Sequence, residues 1–170
     1  SKYWLDFDGI YENSSVWVNG RLVGSQGFGY TPFRLDITNA VKPGENEILI
    51  RAENLTPPTD RWYSGAGIYR TVRWIQTSSH YLDERFVRIS QTIDPKRMSA
   101  HLGVDIEKVV MGESECLVAQ LRDSRDEVIA QTVGHGPHLE LEARNVHLWN
   151  AEHPYLYTLN IAILPHMGSN

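Results

Sequence analysis

Apolar and polar side chains alternate along most of this chain with the two-residue period of a β-strand. In the first stretch Tyr3, Leu5 and Phe7 fall on one side, and Trp4 and Asp6 on the other. Residues 15–18 predict a second strand, which Asn19-Gly20 turns back into residues 21–24. Asn-Gly between apolar runs favours a type I′ hairpin, because both central residues need positive φ. Further strands are predicted at 34–37, 47–52 and 71–75, with a turn at 42–46. Around residues 76–79 the chain turns small and polar, which marks a domain boundary. Beyond it, strands are predicted at 85–89, 99–106, 115–122, 127–130, 139–142 and 155–163. In the stretch 115–122, Leu117, Ala119 and Leu121 share one face, with Cys116 and Val118 on the other. Short strands at regular spacing, with no helical stretch between them, predict an all-β sandwich fold.

Composition narrows the function. The 170 residues suffice for one large or two small domains. A net charge of -5 argues against a nucleic-acid partner, which needs clustered basic residues. No apolar run reaches membrane-spanning length, so no membrane is expected either. The opening residues read as strand rather than as a leader, and the chain reads as cut from a longer one. The single Cys116 leaves no internal disulfide; its strand neighbours predict a buried thiol, consistent with a reducing compartment.

Chemistry-bearing positions concentrate in residues 60–70, Asp-Arg-Trp-Tyr-Ser-Gly-Ala-Gly-Ile-Tyr-Arg. Aromatic rings give flat apolar platforms, Asp and Arg give directed hydrogen bonds, and glycine lets a ligand approach the backbone. The same composition also suits a surface turn that covers a sandwich edge. Ser64-Gly65-Ala66-Gly67 lacks phosphate-loop spacing, and no nucleophile elbow supports Ser-His-Asp catalysis. The seven histidines are scattered. His135 and His138 form the one close pair, in a predicted turn without cysteine or carboxylate at metal-ligand spacing, so neither metal nor cofactor is expected. Glu113 with Glu115, and Glu140 with Glu142, are read as solvated residues on alternating strands. Asn13-Ser14-Ser15 and Asn54-Leu55-Thr56 fit the glycosylation triplet, relevant only to a secreted eukaryotic chain.

Several of these pieces occur together and in order. Tyr11-Glu12-Asn13-Ser14-Ser15-Val16-Trp17-Val18-Asn19-Gly20 is followed by Tyr30-Thr31-Pro32-Phe33, Asp36-Ile37-Thr38 and Lys42-Pro43-Gly44-Glu45-Asn46. Arg61-Trp62-Tyr63-Ser64-Gly65-Ala66-Gly67-Ile68-Tyr69-Arg70 comes next, and Leu148-Trp149-Asn150-Ala151-Glu152-His153-Pro154-Tyr155-Leu156-Tyr157-Thr158-Leu159 closes the series. The set resembles glycoside hydrolase family 2 over nearly the whole chain. The resemblance implies a partial sugar-binding jelly-roll (galactose-binding-like) sandwich at 1–76. An immunoglobulin-like β-sandwich at 77–165 and a disordered tail at 166–170 would follow. The Arg-Trp-Tyr-Ser-Gly version is more similar to β-galactosidases than to β-glucuronidases or β-mannosidases. By that resemblance the parent is a retaining β-glycosidase, bacterial and cytoplasmic or periplasmic, and a possible homo-oligomer. Its two catalytic glutamates would lie on a β/α barrel that this chain lacks, so no catalytic residue is expected here. Asp60 would accept hydrogen bonds from a terminal galactoside, Arg61 would donate or hold Asp60, and Trp62 would stack or wall the pocket. The alternative is a free-standing carbohydrate-binding or adhesion module on the same sandwich, since a fold does not fix a function.

Overall fold

The computed structural model describes residues 1–54 and 65–165. The chain divides into two compact units between Ser79 and His80. Among the described residues the one helical element is a 3-10 turn, Glu84–Phe86. No helix is long and apolar enough to cross a membrane.

The first unit contains β1 (Lys2–Phe7), β2 (Ile10–Tyr11), β3 (Ser14–Val18), β4 (Arg21–Gln26), β5 (Phe33–Asp36), β6 (Ile48–Arg51), β7 (Gly67–Ile68) and β8 (Val72–Thr77). They form a β5-β1-β8 sheet, a β4-β3-β6 sheet and a small β2-β7 pair, all antiparallel. Alternation does the sorting: Leu5 and Phe7 of β1 join Val16 and Val18 of β3 in one core with Ile10 and Ile37. Phe7 stacks on Phe33 with ring centroids 4.9 Å apart. Each such side chain removed from water contributes about 1.5–3 kcal/mol.

Polar side chains fix the loops of this unit. Asn19 and Gly20 take φ of 50° and 79°, the left-handed pair that a type I′ turn requires. Asn19 then does a second job. Its Nδ2 donates to the Ala40 carbonyl and to Asn46 Oδ1, each at 2.8 Å, and its Oδ1 accepts from the Glu47 amide at 3.1 Å. Asn46 closes the neighbouring turn: Oδ1 accepts from the Lys42 amide at 2.9 Å, and Nδ2 donates to the Lys42 and Gly44 carbonyls. Two turns that are separate in sequence thus share one hydrogen-bond network.

The second unit contains β9 (Tyr81–Leu82), β10 (Val87–Asp94), β11 (Ser99–Ile106), β12 (Val109–Val110), β13 (Glu115–Arg122), β14 (Val128–Gly134), β15 (His138–Arg144) and β16 (Thr158–Pro165). Two three-stranded sheets, β10-β11-β15 and β14-β13-β16, face each other, and β9 pairs with β12. Their inward positions fill one core with Leu102, Val104 and Ile106 of β11, Leu117, Ala119 and Leu121 of β13, and Leu139, Leu141 and Ala143 of β15. Cys116 is a buried free thiol. The all-β expectation holds: each unit is built of antiparallel strands around its own core.

Three local expectations are corrected. The strand predicted at 85–89 starts at Val87, because Asp83 caps a 3-10 turn, accepting from the Arg85 amide at 3.2 Å and from its guanidinium at 2.9 and 2.7 Å. The strand predicted at 155–163 starts at Thr158. Tyr155 and Tyr157 instead use their hydroxyls in the preceding loop, where they accept from the backbone amides of Ser124 and His147. Glu113 lies in a turn, and Glu115 is not merely solvated: its carboxylate accepts from the Gly112 amide at 2.6 Å and meets His80 Nδ1 at 2.8 Å. Glu140 and Glu142 are exposed, as alternation predicts. The expected tail, 166–170, lies outside the described residues.

Candidate functional site

Asp60, Arg61 and Trp62, the residues that the sequence singles out, lie outside the described residues. The structure describes the frame on either side of them. On one side the chain leaves β6, and the Glu53 amide donates to the Glu12 carbonyl at 2.9 Å. Asn13, held at a φ of 47°, donates from Nδ2 to the Glu53 carbonyl at 3.4 Å. On the other side Gly67 and Ile68 of β7 pair with Tyr11 and Ile10 of β2. The described flanks on the two sides, Glu53 and Gly67–Ile68, are therefore tied to the same four residues, 10–13. Gly67 takes a φ of 128°, which a side chain would oppose.

Aromatic rings gather beside this post. Tyr30 meets Tyr11, Phe28 and Tyr69 edge-on, at centroid distances of 5.3, 5.7 and 6.4 Å. Tyr11 is buried, whereas Phe28, Tyr30 and Tyr69 are 59%, 52% and 45% exposed, enough to offer ring faces to a ligand. Glycine allows this close arrangement. A Cβ on Gly29 would run into the Tyr11 ring, and one on Gly9 would lie 2.7 Å from the Tyr69 hydroxyl. That hydroxyl donates to the Gly29 carbonyl at 2.7 Å, and the Arg70 guanidinium sits 5.0 Å over the Tyr69 ring.

The outer face of the β5-β1-β8 sheet carries alternating charge. Arg73 donates to both carboxylate oxygens of Asp8 at 2.7 and 2.8 Å, and approaches Asp6 at 3.8 Å. Arg34 meets the same Asp6 at 3.1 and 3.3 Å. The Arg73 hydrogen bond holds the Asp8 carboxyl below its ordinary range. These carboxylates are committed to guanidinium partners and suit positioning rather than proton transfer. Phe28, Tyr30 and Tyr69 were not singled out as a cluster by sequence reasoning. The Gly27-Phe28-Gly29-Tyr30 spacing was the available signal for two of the rings, since each sits next to a glycine; Tyr69 joins them only through the fold.

In the second unit the close histidine pair separates by partner. His138 Nδ1 lies 2.7 Å from Asp105 and its Nε2 3.4 Å from Glu140, whereas His135 Nδ1 faces the Glu115 carbonyl at 3.3 Å. Asp105 is the cross-strand neighbour of His138, a contact invisible in sequence spacing. Asp105 and Glu140 raise the His138 pKa above its ordinary value. Among the described residues no group of three or more His, Cys, Asp or Glu is placed to hold a metal ion.

Comparison with known proteins covers the chain almost end to end. Residues 1–78 match the family description "Glycosyl hydrolases family 2, sugar binding domain", and residues 74–167 match "Glycosyl hydrolases family 2". A putative β-glucuronidase of Formosa agariphila is 31% identical over 95% of this chain and 16% of its own length. A β-galactosidase of Bacteroides ovatus is 30% identical over 91% of this chain and 20% of its own length. A β-glycosidase crystal structure from Bacteroides vulgatus superposes with a TM-score of 0.87 at 25% identity, over 98% of this chain and 22% of that one. The chain thus spans a fifth or less of the length of these two curated relatives.

Proposed function

This chain belongs to glycosyl hydrolase family 2, and from that premise we propose that it is the non-catalytic, sugar-site-rimming part of a retaining β-glycosidase. In this reading 1–76 is the sugar-binding domain and 77–165 the immunoglobulin-like one. Together they support a separate β/α barrel that carries the two reacting carboxylates. The observation that carries the proposal is the double fastening of the flanks of segment 55–64 to residues 10–13, beside exposed rings. The described frame flanks the segment whose sequence carries Asp60, Arg61 and Trp62. Asp60 accepts from sugar hydroxyls, Arg61 donates or holds Asp60, and Trp62 walls the pocket.

The substrate class we propose is a terminal β-galactoside, supported by the Arg61-Trp62-Tyr63-Ser64-Gly65 pattern and by the galactosidase among the relatives. A bacterial cytoplasmic or periplasmic setting and a homo-oligomeric parent belong to the same proposal. The exposed Phe28, Tyr30 and Tyr69 rings support a second reading, in which the first unit binds carbohydrate by itself. Isothermal titration of the isolated chain with galactosides separates the two. No binding, with no release from a chromogenic galactoside, supports the rim; submillimolar binding supports the free-standing module; hydrolysis overturns both. In the enzyme expressed from the whole reading frame, Asp60→Ala and Trp62→Ala are expected to raise KM for the galactoside more than for the glucuronide.

A further inference from the structure

The second unit carries a cleft of about 460 Å³, within the range of small-molecule sites. Its walls come from three places: the turn 123–127 between β13 and β14, the end of β15 at Glu142 and Arg144, and the loop that precedes β16. Hydrogen bonds hold these walls together. Asp123 Oδ1 accepts from the Arg125 and Glu127 amides, each at 2.9 Å, which shapes the turn. The Tyr155 hydroxyl accepts from the Ser124 amide at 3.3 Å and lies 3.0 Å from Ser124 Oγ, which ties the loop to that turn. The Tyr157 hydroxyl accepts from the His147 amide at 2.7 Å. The Tyr155 ring lies 4.9 Å from the His147 ring and 5.0 Å from that of Tyr157, centroid to centroid. Both tyrosines are half-buried and line the cleft. Walls braced in this way lose little freedom when a ligand enters.

The polar groups of the cleft select the ligand. Arg144 and Asn145 are exposed and make no side-chain hydrogen bond or ion pair among the described residues. They offer a guanidinium fork and a carboxamide, donors together with one acceptor oxygen. Glu127 and Glu142 add exposed carboxylate acceptors; the first meets Arg125 at 3.2 Å and the second lies 3.9 Å from His101. Asp123, Glu127 and Glu142 thus face the guanidiniums of Arg125 and Arg144, a near balance of charge that favours neither an anion nor a cation. A neutral sugar answers every group. Its hydroxyls donate to the carboxylates and accept from guanidinium and carboxamide, and its C–H face packs on a tyrosine ring.

We infer that this cleft is a carbohydrate-binding site of the second unit, and that it takes a neutral pyranoside between Arg144, Asn145 and the tyrosine pair. All of its lining residues belong to the second unit, so the site needs neither the first unit nor the rim. A cleft open to solvent holds such a ligand at millimolar strength, weaker than the submillimolar binding that marks a free-standing module.

Titration of the isotope-labelled 170-residue chain with methyl β-galactoside, followed by nuclear magnetic resonance, tests this. Saturable shifts are expected at the amides of 123–127 and 144–147 and at the Asn145 carboxamide, with a millimolar midpoint. Arg144→Gln and Asn145→Gly are each expected to weaken binding about threefold to tenfold, the loss of one hydrogen bond or so. Glycine adopts without strain the φ of 54° that Asn145 holds, and unchanged circular dichroism and melting would show that both variants fold. Arg88→Gln, outside the cleft, is expected to bind as the parent does. Sodium acetate serves as the anionic probe. The absence of saturable shifts in the cleft, Arg144 and Asn145 variants that bind like the parent, or acetate that moves the same amides at lower concentration overturns the proposal. Shifts confined to Phe28, Tyr30 and Tyr69 also overturn it and assign the sugar to the first unit. In each case the Asp60 and Trp62 variants of the whole enzyme still decide the rim separately.

Discussion

The two units solve the same problem, closing a β-sandwich, by different means. The second relies on length: β10, β11, β13 and β16 each run eight residues, and their inward positions fill the core by alternation. The first has strands of two to six residues and depends on side chains to hold what lies between them, through Asn19 with Asn46, Arg34 with Asp6, and Arg73 with Asp8. Short strands with stapled loops leave more of the first unit in loops, where Phe28 and Tyr30 expose their rings. The contrast predicts that loop-residue changes disturb the first unit more than the second.

The strongest test is in the cores. Phe7→Ala removes a fully buried ring that stacks on Phe33 and is expected to cost about 3–5 kcal/mol in urea unfolding. If Leu117→Ala in the second core proves costlier, the first unit is not the more delicate one. Gly29→Ala comes next: the new methyl must displace the Tyr11 ring, and about 1–3 kcal/mol is expected, with a change in tyrosine fluorescence from the Phe28–Tyr30–Tyr69 group. Asn46→Ala removes four hydrogen bonds and is expected to cost about 1–2 kcal/mol. Asp123→Ala, which frees the Arg125 and Glu127 amides of a turn in the second unit, is expected to lower the melting temperature less. A larger effect for Asp123→Ala would break the comparison.

The smallest effects separate the units by pH. All histidines lie at or after His80, so near-neutral titration belongs to the second unit. His138 has its pKa raised in the fold, so its ion pairs stabilise fully below the ordinary value of 6.5 and are lost as pH rises through the folded value. Asp8 has its pKa lowered, so its contribution is present above 3.8 and is lost as pH falls through the folded value. Nuclear magnetic resonance titration is expected to place the His138 midpoint above 6.5 and the Asp8 midpoint below 3.8. Asp105→Asn is expected to return His138 toward its ordinary value.

What was legible in the sequence follows from where the information lies. β1, β11 and β13 were readable because one buried face imposes alternation within each strand. β2 and β7 have two residues each, too few for any period, and they exist because they pair with one another. Asn19 and Asn46 were each readable as turn residues, yet the bond between them depends on a tertiary approach that local spacing does not encode. The same holds for Asp105 and His138, which meet through strand register. The candidate segment was half legible: its chemistry stood out in residues 60–70, whereas the ties of its flanks, Glu53 and Gly67–Ile68, to residues 10–13 needed the fold.

That fastening bears on how much change the segment tolerates. Because Glu53 and Gly67, on the two sides of segment 55–64, meet one short piece of backbone, closure of the connection is settled by neighbours outside it. Doubling the length of a loop adds only about 0.6 kcal/mol of closure entropy. Length and composition can therefore vary between Glu53 and Gly67 without rebuilding the core of the first unit.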